Sequence, residues 1–383
     1  MSPPTYLDYN ATAPVRPEAR EAMVHALEVG GNPSSIHAAG RAARALVEQA
    51  REQVAALISA PASTVIFTSG GTEANALAIE SAVAAGARRL IVSAIEHDSI
   101  QETSRVLGVA VEVLPVTADG LADLGWLDKR LAAWDTADGK PFVALMLANN
   151  ETGVIQPVAE AAALVRGADG WLHVDAIQAA GKIPVDSRAL GADTLSISAH
   201  KLGGPQGTGA LTFGPRATLS RRQHGGGQER GRRGGTENVP GISAFGAAAT
   251  AASKGLDEFN RRASWRDAIA ERLKAAGAVV MGEAAPRLAN TLCVATPGFT
   301  SDLQVMGLDL AQVMVSAGSA CSSGKVKASP VLAAMGQGDL ASCAIRVSGG
   351  WNTTEADWDG FVEAWSSAHQ RHAARRQPAV AGA

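Results

Sequence analysis

The sequence predicts an α/β protein with a mainly parallel sheet that carries helices on both faces, followed by a smaller α+β domain. The first observation is that short apolar runs alternate with helical patterns from about residue 65 to residue 213. The second is that these runs are almost continuously apolar, which is typical of strands buried on both faces. The third is a change after about Gly255, where the strands become shorter. We therefore assign 15–255 to a large domain, and 1–14 with 256–383 to a small domain.

The elements follow in a regular order. Strands of the large domain are predicted at 65–68, 89–94, 109–114, 142–148, 171–174, 194–198 and 209–213. Helices are predicted at 72–85, 99–107 and 158–166. In the small domain we predict one helix at 256–275 and strands at 292–295, 312–316 and 344–347. Ligands of open α/β sheets bind at the carboxyl ends of the strands, so polar residues that follow a strand are the candidate site residues.

The bulk properties favour a soluble cytoplasmic protein. The 383 residues carry a formal net charge of −3, which gives no general attraction to nucleic acid or membranes. No apolar run is long enough to span a bilayer, and the chain does not open with a basic and then apolar leader. Three scattered cysteines indicate neither a disulfide framework nor a metal site.

A lysine and an aspartate at the exits of two strands are the most informative feature. Asp175 ends the run from Trp171, and Lys201 follows the strand at 194–198. Enzymes that use pyridoxal phosphate need such a pair, because the lysine amine holds the aldehyde as a Schiff base and a carboxylate keeps the pyridine nitrogen protonated. On spacing alone, a surface lysine and an unrelated buried aspartate would be the better explanation, because Lys and Asp are common at strand ends; the other motifs of the chain favour the cofactor pair.

The loop between the strand at 65–68 and the next helix suits a phosphate. Backbone N–H groups at the helix start, around Gly71, and the Thr72 hydroxyl provide donors. Ser198 and His200, which flank the lysine turn, are further donors. The alternative is an ordinary helix N-cap by Ser69 or Thr72.

Two further polar residues follow apolar strands. His97 suits stacking on a planar ring and proton transfer near neutral pH, although a half-exposed histidine at a strand end is also common. Asn150 suits a hydrogen bond to a substrate carboxylate or to a phenol oxygen of the cofactor, although Asn and Gly also favour turns.

The later part of the chain contains three more candidates. The run 225–238 combines glycines with arginines but has no aromatic residues for base stacking, which favours an interface or phosphate loop over RNA binding. Cys321 lies in a loop of small residues that suits a mobile thiol, or a tight loop in which the cysteine replaces a serine, whereas Cys293 and Cys343 are predicted to be core residues. Arg346 lies inside an apolar strand and calls for an anion, either a substrate carboxylate or a structural carboxylate.

Taken together, these motifs resemble the cysteine desulfurases of the NifS/IscS type, in the class V aminotransferase group of fold-type I pyridoxal phosphate enzymes. The matching segments run nearly from end to end: 6–11, 31–35, 69–75, 96–97, 149–153, 173–178, 198–201, 225–238, 318–321 and Arg346. Their order and number make the match specific. The run from Ser348 to Asn352 departs from the pattern usual after the arginine.

The resemblance implies a set of residues for pyridoxal phosphate. Lys201 would hold the aldehyde and move the Cα proton, Asp175 would pair with the pyridine nitrogen, and Gln178 would hydrogen-bond the phenol oxygen. His97 would stack on the ring and act as acid and base. The phosphate would be held by residues of the helix start and the lysine turn, namely Gly71, Thr72, Ser198 and His200.

The resemblance also implies a substrate, partners and products. Asn150 and Arg346 would bind the carboxylate of L-cysteine, with Asn32 close by, and Cys321 would accept the sulfur as a persulfide while alanine is released. Thr236 would reach the phosphate of a neighbouring subunit, which implies a homodimer. The sulfur would pass to an iron–sulfur scaffold protein or another thio-cofactor route, with no direct nucleic acid and no membrane involved.

Four alternatives remain at this level. A transaminase on the same fold would not need Cys321, and a selenocysteine lyase would share nearly every residue. The chain could also be a non-catalytic scaffold, or an RNA-binding protein that uses the arginine cluster. The acceptor, the pathway and any accessory subunit are not determined by the sequence.

Overall fold

A computed structural model describes residues 4–318 and 328–376. The strands are, in chain order, β1 Thr5–Tyr6, β2 Val65–Thr68, β3 Arg89–Ser93, β4 Ala110–Leu114, β5 Phe142–Ala144, β6 Trp171–Asp175, β7 Thr194–Ser198, β8 Gly209–Phe213, β9 Val279–Val280, β10 Thr291–Ala295, β11 Val313–Met314, β12 Ser316–Ala317 and β13 Ala344–Ser348. The helices are α1 Pro17–Val29, α2 Ala38–Leu57, α3 Gly71–Ala84, α4 Asp98–Val106, α5 Leu124–Ala132, α6 Val158–Gly167, α7 Val239–Lys254, α8 Leu256–Arg261, α9 Ala263–Ala275, α10 Ser301–Leu310, α11 Pro330–Ala334 and α12 Glu355–Arg376.

A seven-stranded sheet forms the centre, in the order β2-β8-β7-β6-β5-β3-β4. Five strands, β7, β6, β5, β3 and β4, are parallel to one another, and β8 runs antiparallel between β2 and β7. Alternate residues face opposite sides, as a period of two requires. On β3, Ile91 packs in one apolar cluster with residues of α2 and α7, whereas Leu90 and Val92 pack in another with residues of α3 and α4. Helices therefore cover both faces, and the predicted fold class is confirmed.

The C-terminal part contains a four-stranded antiparallel sheet, β12-β13-β10-β9, and a separate parallel pair of β1 with β11. The first residues of the chain therefore join the last third. Leu7 is buried in the same cluster as Phe361 and Trp365 of α12. The domain limits at residues 15 and 255 stay a prediction.

Three element predictions were wrong in detail. The strand predicted at 142–148 ends at Ala144, although the N–H groups of Leu145 and Leu147 still donate to carbonyls of the β6 region. The helix predicted at 256–275 is two helices that break at Arg262, whose guanidinium donates to the carbonyls of Gly350, Trp351 and Thr353. These acceptors are distant in sequence, so periodicity alone does not indicate the break. The strand predicted at 312–316 is two short strands in different sheets.

The sheet order sets the position of the candidate site. Asp175 ends β6 and pairs in register with Ser196 of the adjacent parallel strand β7. The short turn 199–201 follows β7 directly and ends at Lys201. The two strand exits predicted from sequence are therefore neighbours. Among the described residues, no helix is both long and apolar enough to cross a membrane.

Candidate active site

A cavity of about 330 Å³ lies at the carboxyl edge of the parallel strands. Ten of the residues predicted for the site line it: Gly71, Thr72, His97, Asn150, Asp175, Gln178, Ser198, His200, Lys201 and Arg346. Five lining residues were not among the predicted site residues: Asn10, Ala11, Ser99, Met146 and Ile177. Residues from both ends of the chain and from the central sheet thus meet in one place.

Lys201 and Asp175 contribute a cation and an anion to this cavity. The Lys201 amine donates to the carbonyl of Asn10 at 2.6 Å and to that of Ala11 at 2.8 Å. The Asp175 carboxyl is buried, and burial raises its pKa, while the charges of His97 and Lys201 act in the opposite direction. A buried carboxylate that faces a cavity is most stable with a cation beside it, which is what a protonated pyridine nitrogen supplies.

A directional chain of hydrogen bonds stands behind Asp175. Its Oδ2 accepts from Asn75 Nδ2 at 2.8 Å, and its Oδ1 accepts from the Ile177 N–H at 2.9 Å. Asn75 Oδ1 lies 3.0 Å from Nε2 of His173, whose Nδ1 lies 3.0 Å from Thr194 Oγ1. Burial lowers the pKa of His173 to about 3, so the ring is neutral. Because Asn75 Oδ1 only accepts, the His173 proton lies on Nε2.

His97 is held by the same network. It is the N-cap of α4, and its Nδ1 accepts from the Ser99 N–H at 3.1 Å. Ser99 Oγ lies 2.9 Å from the same Nδ1 and accepts from Asn75 Nδ2 at 2.9 Å. With Nδ1 engaged, Nε2 is the nitrogen left to act as a proton donor or acceptor. Asn75 thus connects the carboxylate and the imidazole that line the cavity.

The start of α3 provides a cradle for a phosphate. Gly70 is the N-cap, and among the described residues no side chain caps the helix, so the alternative of a plain N-cap by Ser69 or Thr72 is not observed. The Ser69 hydroxyl and N–H donate instead to Glu73. A Cβ on Gly71 would lie 2.2 Å from Ile177 Cδ1, which is itself in the cavity wall. The uncapped N–H groups and the dipole of the helix favour an anion here.

His200 completes the cradle as a neutral group. Burial, followed by the charge of Lys201, lowers its pKa to about 4. Its Nδ1 lies 3.3 Å from Thr12 Oγ1. A neutral imidazole can therefore donate from Nε2 without adding a formal charge. The donors around the start of α3 fit the phosphate of pyridoxal phosphate, as Lys201 and Asp175 fit its aldehyde and its ring.

The opposite wall is built around Arg346 on β13. Its guanidinium donates to Asp8 Oδ1 at 2.6 Å and to the carbonyl of Asn150 at 3.2 Å. The structural carboxylate considered as an alternative partner is therefore present, and Arg346 also lines the cavity. Within the described part of the chain, Nε of Arg346 has no hydrogen-bond partner. The guanidinium keeps donor capacity for a second anion.

Asn10 joins this wall to the lysine turn. Its Nδ2 donates to the Asn150 carbonyl at 3.1 Å and to Thr291 Oγ1 at 2.9 Å. Its Oδ1 accepts from Lys182 Nζ, and its carbonyl accepts from both Lys201 and Gln178. The sequence contains Asn10 in a matching segment, but no local pattern indicates that one asparagine contacts so many elements.

Glu151 is a buried carboxyl beside the Arg346 wall. Its Oε2 accepts from Ser329 Oγ at 2.6 Å. A Cβ on Gly318 would lie 2.8 Å from the same oxygen. Burial raises the pKa of Glu151 to about 7, against the opposing effects of the Ser329 hydrogen bond and the Arg346 charge. Sequence reasoning missed this residue because Asn149–Gly153 also has the composition of a turn.

Two predicted site residues lie outside the cavity wall of this chain, and one cannot be placed. Asn32 is exposed, and its Oδ1 accepts from the Ser34 N–H at 2.9 Å. Thr236 is exposed in the loop before α7. Cys321 lies outside the described residues. Cys293 and Cys343 are both buried, as predicted, and burial raises the pKa of the Cys293 thiol.

Comparison with known proteins supports one family over nearly the whole chain. The family model described as aminotransferase class-V matches residues 5–361. A cysteine desulfurase from Cereibacter sphaeroides is 41% identical over 373 residues, which cover 94% of each chain. Cysteine desulfurase IscS from Dictyoglomus turgidum is 39% identical over 93% of this chain and 92% of its own.

The solved structures agree with these relatives. A NifS-like protein from Rickettsia africae superposes with a TM-score of 0.88 at 33% identity, over 96% of this chain and 99% of its own. The protein SspA in complex with cysteine superposes with a TM-score of 0.76 at 28% identity, over 90% of this chain and 98% of its own. The similarity covers both the central sheet and the C-terminal sheet.

Proposed function

We propose that the cavity binds pyridoxal phosphate and L-cysteine. The chain belongs to the aminotransferase class-V family and is a cysteine desulfurase of the IscS and NifS type. The observation that carries the proposal is that Lys201 and Asp175 line one cavity at the exits of adjacent parallel strands. A transaminase and a selenocysteine lyase share this fold, but the relatives that match over most of the chain are named for desulfurase activity.

The polar residues of the central sheet would hold the cofactor. Pyridoxal phosphate, when bound, supplies an electron sink for the carbon that carries the substrate amino group. Asp175 would pair with the pyridine nitrogen, and Gln178 would donate to the phenol oxygen. His97 would stack on the ring. The start of α3, with Thr72, Ser198 and His200, would hold the phosphate; the uncapped helix start supports this assignment.

Lys201 would hold the cofactor aldehyde and then move the Cα proton of the substrate. The carbonyls of Asn10 and Ala11 hold its amine at the cavity, where the substrate would bind. An acid or base must lie within hydrogen-bonding distance of the proton it moves. The carboxylate of the substrate would bind Arg346 and the Asn150 side chain, with Asn32 close by.

Cys321 would accept the sulfur. Its thiolate would form a bond to the substrate sulfur while the carbon–sulfur bond breaks, and the carbon would take the bonding electrons and a proton. The net reaction converts L-cysteine and the Cys321 thiol into L-alanine and a Cys321 persulfide, with no external oxidant or reductant. The chemistry parallels the attack of a thiolate on sulfur in disulfide exchange.

A homodimer would complete each site. Thr236 is exposed and lies outside the cavity wall of its own chain, which is consistent with a contact to the phosphate held by a second subunit. The persulfide sulfur would pass to an iron–sulfur scaffold or another acceptor in the cytoplasm.

The first test measures alanine and sulfide together from L-cysteine and a reductant. Wild-type protein loaded with pyridoxal phosphate is expected to give equal yields of both. Cys321→Ala is expected to abolish both, whereas Cys343→Ala, a change at a buried cysteine of the core, serves as the matched control. Pyruvate or pyridoxamine phosphate as the product, unaffected by Cys321→Ala, would instead indicate a lyase or a transaminase.

A further inference from the structure

Lys182 is a second lysine beside the cavity that the proposed mechanism does not use. It lies in the loop after β6, and only 4% of its surface is exposed. Its amine donates to Gln178 Oε1 at 2.6 Å and to Asn10 Oδ1 at 3.0 Å. A buried lysine is rare unless a specific partner holds it. Both partners here are amide oxygens of residues that line the cavity.

The contacts of Lys182 decide which way the Gln178 amide faces. The oxygen and nitrogen of an amide have nearly the same shape, so the surrounding donors and acceptors determine their positions. A lysine amine facing Oε1 and a carbonyl facing Nε2 select one orientation. Gln178 Nε2 donates to the Asn10 carbonyl at 2.9 Å. The amide nitrogen has a second N–H, which is left for a group in the cavity.

The same reasoning applies to Asn10. Its Oδ1 accepts from Lys182 and from Asn290 Nδ2 at 3.2 Å, while its Nδ2 donates to the Asn150 carbonyl and to Thr291. If the Asn10 amide were reversed, its NH2 group would face two other donors, the Lys182 amine and the Asn290 amide nitrogen. Lys182 therefore orients two amides that connect the lysine turn to the Arg346 wall.

We propose that Lys182 is a positioning residue that holds the Gln178 amide with an N–H directed to the cavity, where it donates to the anionic ring oxygen of the cofactor. The inference rests on the proposed function, in which Gln178 contacts the cofactor, and it assigns a role to Lys182, which contacts Gln178. Burial, together with the charges of Lys201 and Arg346, lowers the pKa of Lys182. Both the ammonium and the neutral amine have at least two N–H bonds, so either form orients both amides.

The test compares cofactor affinity and the pH-dependent absorption spectrum of the loaded enzyme in three variants. Lys182→Met has a similar length but no donor, and it is expected to shift the spectrum and to weaken pyridoxal phosphate binding by about 10-fold, the loss typical of one hydrogen bond to a charged group. Lys182→Gln, which offers an amide N–H, is expected to recover most of the wild-type spectrum and most of the affinity for pyridoxal phosphate. Lys254→Met, at an exposed lysine, is the matched control.

A double variant separates positioning from a general structural role. If Lys182 acts through Gln178, then Gln178→Ala alone and Gln178→Ala with Lys182→Met give the same affinity and spectrum. Independent, additive effects would overturn the inference, as would a Lys182→Met spectrum identical to that of the wild type. Thermal melting of each variant checks that it is folded.

A variant of Gln178 and the wild-type protein provide two further tests. If Lys182→Met does not fold, Gln178→Glu presents a carboxylate oxygen to the cavity in place of the N–H, and an unchanged spectrum would again overturn the inference. Wild-type protein that binds no pyridoxal phosphate would overturn the proposed function itself. Normal binding by the wild type with an unaffected Lys182→Met variant would overturn the role of Lys182 alone.

Discussion

The two walls of the cavity are built in different ways. The cofactor wall, defined by Asn75, His97, His173 and Asp175, places one carboxylate in a network of hydrogen bonds with amide, imidazole and hydroxyl groups on and between regular elements. The substrate wall, defined by Asp8, Asn150, Glu151 and Arg346, brings charges together from segments that lie far apart in the chain. If the proposed function is correct, the cofactor would meet a fixed network of hydrogen bonds, whereas the exchanging substrate would meet the ion pair of Arg346 with Asp8.

The largest expected effect follows from removing the negative charge of Asp175 in the cofactor wall. Asp175→Asn keeps the shape of the side chain but leaves a protonated ring nitrogen without a counter-ion. Breaking a buried pair on one side costs about 3–5 kcal/mol, which corresponds to at least about a 100-fold loss in the rate of alanine formation. Asp193→Asn, at a buried aspartate before the start of β7, is the control and should keep activity near the wild-type rate. A loss below about 3-fold in Asp175→Asn would contradict the assigned pairing.

Substitutions in the substrate wall are expected to change the KM for L-cysteine and not the binding of the cofactor. Arg346→Lys removes the planar fork that binds a carboxylate through two N–H groups, so KM for L-cysteine should rise by about 10- to 100-fold while the cofactor spectrum stays unchanged. Asp8→Asn removes the carboxylate that competes for Arg346 and should leave KM unchanged or lower it. A rise in KM in both variants would mean that the ion pair positions the arginine and does not compete with the substrate.

A smaller effect is expected from the second layer of the cofactor wall. Asn75→Ala removes a donor to Asp175 and a link to Ser99, so the affinity for pyridoxal phosphate should fall by about 5- to 10-fold, as measured by equilibrium titration. Thr103→Ala, whose hydroxyl donates within α4 and does not line the cavity, is the comparison. Equal affinities in wild type and Asn75→Ala would show that the network does not support the carboxylate.

The smallest expected effect is on stability and depends on pH. Burial raises the pKa of Glu151 from 4.5 to about 7, so the folded chain binds this proton more tightly than the unfolded chain. The contribution of Glu151 is therefore fully present below about pH 4.5 and is lost as the pH rises through about 7. Glu151→Gln should remove this dependence and raise the thermal midpoint at pH 8, relative to pH 5, by a few degrees, about 2–4 °C, against the wild type. Glu52→Gln, at an exposed position on α2, should leave the pH dependence unchanged.

Much of the fold was predictable because its signals are local. The strands at 65–68, 194–198 and 209–213 have the predicted limits, since each is an apolar run that ends in a turn. The helices α1, α2 and α7 were not predicted, although they are among the longer elements. Alanine is the most frequent of their buried residues, and only packing against the sheet and one another shows which faces are buried.

The sequence by itself determined the family, through its motifs, and the α/β architecture with Lys201 and Asp175 at strand exits, through apolar runs and the residues just after them. Only the tertiary structure decided the partners of Arg346, Asn10 and Lys182. Asp8 and Arg346 are 338 residues apart, and Lys182 meets Asn10 across 172 residues. The physical reason is that a buried polar group takes its partner from whichever segment packs beside it, and the strand order of the sheet differs from the order of the chain.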